Sequence, residues 1–397
     1  MYFCRTMAVK RTRLTQVFTQ FFQSNQAGGI LLLVCTIISL LITNSFLGEA
    51  YRNFWELELG PVTTQFHLHH SLAEWINDGL MTIFFLLVGL EIRRELYVGE
   101  LSSRRKALLP VMGALGGMIV PALIYFLFNI NSPETISGIG IPTATDIAFA
   151  IAIMGVLGDK VPPALKVFLT ALAIIDDLGA IFVIAIFYGS GFSIVYLLLT
   201  AGLFALLLLL NKLKVHSLFV YLPLGVLLWF FMLHSGVHAT LAGVLLAFAI
   251  PFQRGEKHGA SHMLEEWLQK PVAMLIIPVF ALANTAIVIN PELLGSLSST
   301  ESLGIILGLV LGKPIGIFLA AIISDKLKIA EIPHTVNKSM LWGAGMLGGI
   351  GFTMAIFVSN LAFDNSFYIE LAKVSILIAS TTAAVGGYFV LSTFNKR

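Results

Sequence analysis

About twelve apolar stretches, each near the ~20 residues that a helix needs to cross bilayer hydrocarbon, fill this chain from residue 27 to residue 392. Their bounds fall at 27–44, 73–97, 107–129, 138–157, 163–188, 192–211, 216–234, 236–251, 266–289, 302–324, 340–361 and 366–392, with the seventh and eighth running together around HSGVH. Backbone inside hydrocarbon must satisfy its own hydrogen bonds, and segments of this length do so as helices. The expectation is an all-α polytopic membrane protein. Composition agrees: 57% of the 397 residues are hydrophobic and only 12% charged, about half the usual share of a soluble domain.

The net charge of +2, with no basic block interleaved with aromatics, points away from nucleic acid. Charge informs by position instead. With the N-terminus in the cytoplasm, the lysines and arginines beyond the tail gather on that side, except Arg52, Lys313 and Lys373. This bias through an even number of spans predicts cytoplasmic N- and C-termini, with 1–26 a cytoplasmic tail and 27–397 a single transmembrane domain. Lys10, Arg11 and Arg13 before GGILLLVCTIISLLI imitate a signal peptide. That run ends in TNSFLGEA without a small-x-small cleavage site, so it reads as a retained first helix. Either Met1 or Met7 can start the chain. Cys4 in the tail and Cys35 in a span offer neither a disulfide framework nor a thiolate metal site.

One segment breaks the helical pattern. FWELELGPVTTQFHLHH, residues 54–70, alternates, turns at Gly60 and Pro61, and alternates again, which reads as an extramembrane β-hairpin. A lone hairpin is marginal in water, so this one is expected to pair, for example with a second copy of the chain.

Spans four and eleven are unusual inside. GIGIPTATDIAFAIAIMGVLG carries Gly138, Gly140 and Pro142 before Asp146, and LWGAGMLGGIGFTMAIF carries Gly343, Gly345, Gly348, Gly349 and Gly351. Proline removes a backbone bond and glycine leaves helical geometry freely, so both spans are expected to be interrupted near mid-membrane. Glycines can also serve close helix packing alone. Two interrupted spans, one in each half of the chain, point to a binding site.

The stretch ALAIIDDLGA sets Asp176 and Asp177 side by side in the fifth span. Neighbours on a helix diverge by about 100°, so one carboxylate projects into a central site and the other toward an adjacent helix. Intramembrane carboxylates are costly and mark function. Close carboxylates in poorly solvated surroundings retain a proton, and a small hard cation favours the deprotonated form of the same groups. Sodium or lithium then competes with protons, the minimum chemistry of an exchanger. If the breaks cross, half-helix N-termini form one partial positive pole and C-termini one negative pole. Asp146, with the Thr145 hydroxyl beside it, suits the first; Lys313 in LVLGKPIGI suits the second, or pairs with an aspartate. That stretch is no phosphate loop, since the glycine spacing is one short and Pro314 replaces the hydroxyl.

WINDGLMTIFFLLVGLEIRREL, IPTATDIAFAI, ALAIIDDLGAI, SGVHATLAG, LGKPIG and GGIGFTMAIF, in order over nearly the whole chain, resemble the NhaA family of sodium/proton antiporters. Inverted repeats and broken helices are features for which that family is a standing example. The resemblance implies twelve transmembrane helices, with spans three to five and ten to twelve as inverted-topology repeats and the fourth and eleventh as crossing discontinuous helices. It implies electrogenic exchange, more protons entering than sodium or lithium leaving, activated at alkaline pH, without a cofactor, in a bacterial inner membrane. Position by position, Asp176 and Asp177 would bind cation and protons, Lys313 would be their lysine partner, and Thr145 and Asp146 would serve the broken-helix junction. The external hairpin would lie at a homodimer interface.

The family's pH-sensing region resembles Glu91, Arg94 and Glu95 in LEIRREL together with Glu265 in LEEWLQKP. Glu91 and Arg94, three apart, can pair on one helix face. Beside Glu265 stand Glu266 and Gln269, where some members carry histidine, so no pH range of activation carries over. His238 matches a position near the outer side, where a structural histidine serves equally. Asp78 in WINDG either modulates the site or caps a helix. Two other classes compete. An intramembrane aspartyl protease would show YD and GxGD sequences, and the nearest match, GVLGDK at Gly155 to Lys160, has one residue too many. A sodium-coupled symporter of an organic anion would want a mid-membrane arginine, and the sequence shows none there.

Overall fold

The computed structural model describes residues 27–60, 69–189, 191–253 and 259–393. The tail over 1–26 and the turn of the hairpin lie outside those residues. Helices occupy the apolar stretches: α1 (Ala27–Thr43), α2 (Gly48–Trp55), α3 (Leu72–Tyr97), α4 (Arg104–Asn129), α5 (Ile147–Leu157), α6 (Pro163–Phe187), α7 (Ile194–Lys212), α8 (Leu218–Leu233), α9 (Leu241–Ala249), α10 (Ala260–Asn284), α11 (Thr300–Lys326), α12 (Lys338–Gly348), α13 (Phe352–Ala362) and α14 (Ser366–Thr393). Eight of the described helices are long and apolar enough to cross a membrane, or ten if each bent pair forms one span.

The eighth stretch differs from expectation. Residues 236–240 are not helical, and α9 holds only nine residues, about 13 Å of rise. Gly236 turns the chain at φ 84°, a left-handed conformation that side chains disfavour. The C-terminal carbonyls left over by so short a helix are met from α3: the Arg93 guanidinium donates to Ala247 O at 2.9 Å and also to Ile250 O. Its cation lies over the rings of Tyr97 and Phe252.

The hairpin also starts later than its alternation suggests. Phe54 and Trp55 are the last turn of α2, because Tyr51, Phe54 and Trp55 at helical spacing pack edge to face and Trp55 is buried. The strands are β1 (Glu58–Leu59) and β2 (His70–Ser71), antiparallel, with Glu58 opposite Ser71 and Leu59 opposite His70. Ser71 then begins α3 through a capping box with Glu74. Asp78 therefore caps nothing there.

The core is a large apolar cluster running through nearly all the helices, with a smaller one of Ile287, Leu293, Leu371 and Val374. Its tightest seam joins α4 to the second half of α11. Gly116 and Gly316 face each other so closely that a Cβ on either would land on the other's carbonyl oxygen. α4 packs against α6 as well as against α11.

Candidate functional site

The fourth stretch runs as a 3-10 helix over Ile136–Thr143, extended backbone at Ala144 to Asp146, then α5. The eleventh stops at Gly348 and restarts at Phe352, with a bend of 44°. Each break leaves backbone groups without partners of their own, and the two breaks satisfy one another. Asp146 N donates to Ile350 O at 2.6 Å. The Thr145 hydroxyl lies 2.8 Å from Gly348 O. The two breaks meet at this point.

Asp146 sits where two helices begin. Its Oδ1 accepts from Phe149 N at 3.0 Å, and its Oδ2 accepts from Thr353 N at 3.1 Å and from the Thr353 hydroxyl at 2.6 Å. One buried carboxylate thus caps both α5 and α13 at their N-terminal dipole ends. Lys313 lies where the 3-10 helix ends. A π-helical turn over Gly308–Gly312 sets it into the interior, where it is fully buried. Its Nζ donates to Thr143 O, the last carbonyl of the 3-10 helix, at 2.5 Å and lies 2.8 Å from Asp176 Oδ2.

Asp176 Oδ2 also lies 2.6 Å from Thr145 Oγ1, so lysine, threonine and carboxylate form one chain. A hydroxyl carries one proton. Thr145 can donate to Gly348 O and to ionised Asp176 only by turns, whereas a protonated Asp176 satisfies all three groups at once. Asp177, next along α6, has no such company. Its Oδ1, like Asp176 Oδ1, is buried without a hydrogen-bond partner among the described residues. Bare buried carboxylate oxygens are costly, and a hard cation or a proton relieves that cost.

Toward the Arg94 end of the molecule lies the charged cluster. Arg94 pairs with Glu265 on α10 and with Glu95 at 3.2 Å; Glu95 also accepts from Glu100 N at 3.0 Å. The intrahelical pair of Glu91 with Arg94 does not form, because Glu265, brought from another helix, takes the guanidinium. Glu91 lies half-buried between this cluster and Asp177. His238 is elsewhere: its Nε2 is 2.7 Å from Tyr188 O, at the end of α6. The Asp78 carboxylate makes no hydrogen bond among the described residues, while its backbone carbonyl accepts from the Thr82 hydroxyl and the Trp229 indole.

Residues 19–391 match the Na+/H+ antiporter 1 family. The Na(+)/H(+) antiporter NhaA of Cytophaga hutchinsonii is 52% identical over 375 residues, which cover 94% of this chain and 95% of that protein. The Na(+)/H(+) antiporter NhaA 2 of Flavobacterium johnsoniae is 51% identical over 395 residues, covering 100% and 96%. The Na(+)/H(+) antiporter NhaA of Dechloromonas aromatica is 52% identical over 394 residues, covering 98% and 99%. This chain belongs to the Na+/H+ antiporter 1 family.

In this family member the sequence reading passed over several polar groups. Thr353 repeats at the second break what Thr145 does at the first, and the signal was a hydroxyl two residues after the glycine-rich run. Asn284, in the apolar ALANTA, is the hub of a network. It donates to Asn77 Oδ1 at 2.8 Å, and its Oδ1 accepts from Asn360 at 2.6 Å and from Lys373 Nζ at 3.3 Å. A lone amide inside a span was the clue there.

Proposed function

We propose that this chain exports sodium or lithium from the cytoplasm in exchange for protons. The observation that carries the reading is the half-used carboxylate pair: Asp176 is held by Lys313 and Thr145, while an oxygen on each aspartate is left bare at the junction of two broken helices. In the cycle, cytoplasmic sodium takes the bare oxygens of Asp177 and Asp176 and displaces protons from them. Its charge weakens the hold of Lys313 on Asp176. The site reopens outward, and external protons return to the carboxylates as sodium leaves.

More protons enter than sodium ions leave, so the exchange is electrogenic and the membrane potential drives it. The proposed setting is a bacterial inner membrane with both termini cytoplasmic. The twelve spans are α1, α3, α4, the broken fourth, α6, α7, α8, the short α9, α10, α11, the broken eleventh and α14, arranged as inverted repeats over spans three to five and ten to twelve. Glu91, Arg94, Glu95 and Glu265, at the cytoplasmic face in this topology, form the pH-sensing cluster that activates exchange at alkaline pH, with His238 and Asp78 as lesser modulators. The hairpin of β1 and β2 joins two copies into a homodimer.

The test is exchange in proteoliposomes holding a pH gradient reported by an internal dye. Sodium and lithium, but not potassium, collapse the gradient in the parent protein, and neither does so with Asp176→Asn or Asp177→Asn. A folded protein without a sodium response at any pH overturns the reading and returns a sodium-coupled symporter.

A further inference from the structure

The pocket at the Asn129 end of the molecule, opposite the Arg94 cluster and therefore external in the proposed topology, contains an acid that the exchange cycle does not use. Glu301 lies in the first turn of α11, 1% exposed, with neither carboxylate oxygen hydrogen-bonded among the described residues. It lines a pocket of about 440 Å³ whose walls come from three elements: the 132–135 connection into the broken fourth span, the start of α11 and the start of α14.

Several polar groups in and behind the wall are already hydrogen-bonded. Asn129 Nδ2 donates to Thr300 O at 3.1 Å, the Thr135 hydroxyl donates to Asn129 Oδ1 at 2.7 Å, and Tyr125 Oη donates to Thr135 O at 2.6 Å. Tyr368 Oη, from α14, donates to Glu134 Oε2 at 2.5 Å. These bonds fix the three walls around a carboxylate whose acceptor capacity is unspent, and an unpaired buried carboxylate is expensive.

We propose that this pocket is a second cation site, with Glu301 as its buried anionic ligand and hydroxyl and carbonyl oxygens of the wall completing the shell around a hard monovalent cation such as sodium. Oxygen donors in a hydroxyl-rich wall suit hard cations. A divalent ion would want more anionic ligands, and no group of three or more His, Cys, Asp or Glu forms among the described residues. The site is separate from Asp176 and Asp177 yet tied to them, because α11 carries Glu301 and, about 18 Å along the same helix, Lys313. Occupancy would hold the start of α11 against the connection into the broken fourth span.

The test is hydrogen exchange of the full chain in detergent, with sodium chloride against choline chloride at equal ionic strength, in the parent protein and in Asp176→Asn/Asp177→Asn. Sodium is expected to slow exchange in peptides over 130–136 and 296–302 in both proteins, and Glu301→Gln to weaken that effect about tenfold or more in sodium concentration, since it removes the buried charge. No sodium effect on those peptides in the double variant overturns the proposal, and that measurement stands even if Glu301→Gln does not fold. An equal effect in Glu301→Gln overturns it too, leaving Glu301 a protonated structural acid. Protection by calcium but not by sodium overturns the monovalent assignment.

Discussion

Lys313 holds Asp176 and leaves Asp177 alone: Nζ is 2.8 Å from Asp176 Oδ2, whereas Asp177 Oδ1 is buried without a hydrogen-bond partner among the described residues. Lys313→Ala strands a buried carboxylate and the Thr143 carbonyl together. Breaking a buried pair from one side costs about 3–5 kcal/mol, which is expected as a fall in melting temperature in detergent. Lys313→Ala/Asp176→Asn should recover part of the loss, because the remaining partner is neutral. An unchanged melt for Lys313→Ala would remove the pair from the account of stability.

Asp146 serves two helices with two oxygens. Each cap lost costs about 0.5–2 kcal/mol, so Asp146→Ala should destabilise more than any single-cap variant elsewhere in the chain. Asparagine has one acceptor oxygen and can keep only one of the two caps. Thermal melts should therefore rank the parent above Asp146→Asn and Asp146→Asn above Asp146→Ala; equal melts for the two variants would contradict a double cap.

The seam of α4 with α11 admits no side chain at Gly316. Gly316→Ala should cost about 1–3 kcal/mol by overpacking. Gly202 of α7 offers the control, since a Cβ there meets nothing within 4 Å. Gly202→Ala should leave the melt unchanged or raise it slightly through helix propensity.

Sodium and protons on one carboxylate pair predict a linked pH dependence with a definite sign. Protons occupy the ligands at low pH, so apparent sodium affinity should rise with pH, about tenfold per unit for each proton displaced, and level off once the carboxylates are ionised. Calorimetry in buffers of differing ionisation heat reads the protons released. Affinity independent of pH would separate sodium binding from proton release.

The parts of this arrangement that the sequence carried were those written locally. The adjacent aspartates in ALAIIDDLGA, and glycine and proline in two spans, announced charge and breaks inside hydrocarbon because both are expensive there. Partners contributed by distant helices were not legible. The three-residue spacing of Glu91 and Arg94 permits a pair, but Glu265 from α10 takes the guanidinium. Thr353 and Thr145 meet Asp146 and Asp176 only after folding. The strand pattern over Phe54 and Trp55 misled because period two and period 3.6 coincide over so few residues, and aromatic packing in α2 decided between them.

The shared junction of the two breaks has a consequence for inheritance. Thr145 and Asp146 are hydrogen-bonded to residues 348–353, across as many as 207 positions of sequence. A change in one break is therefore tested against the other, and the two ends of the gene cannot drift apart independently at these positions. Chimaeras that take the two breaks from different relatives should inherit a mismatched junction, while those that exchange α7 and α8 between relatives leave it whole.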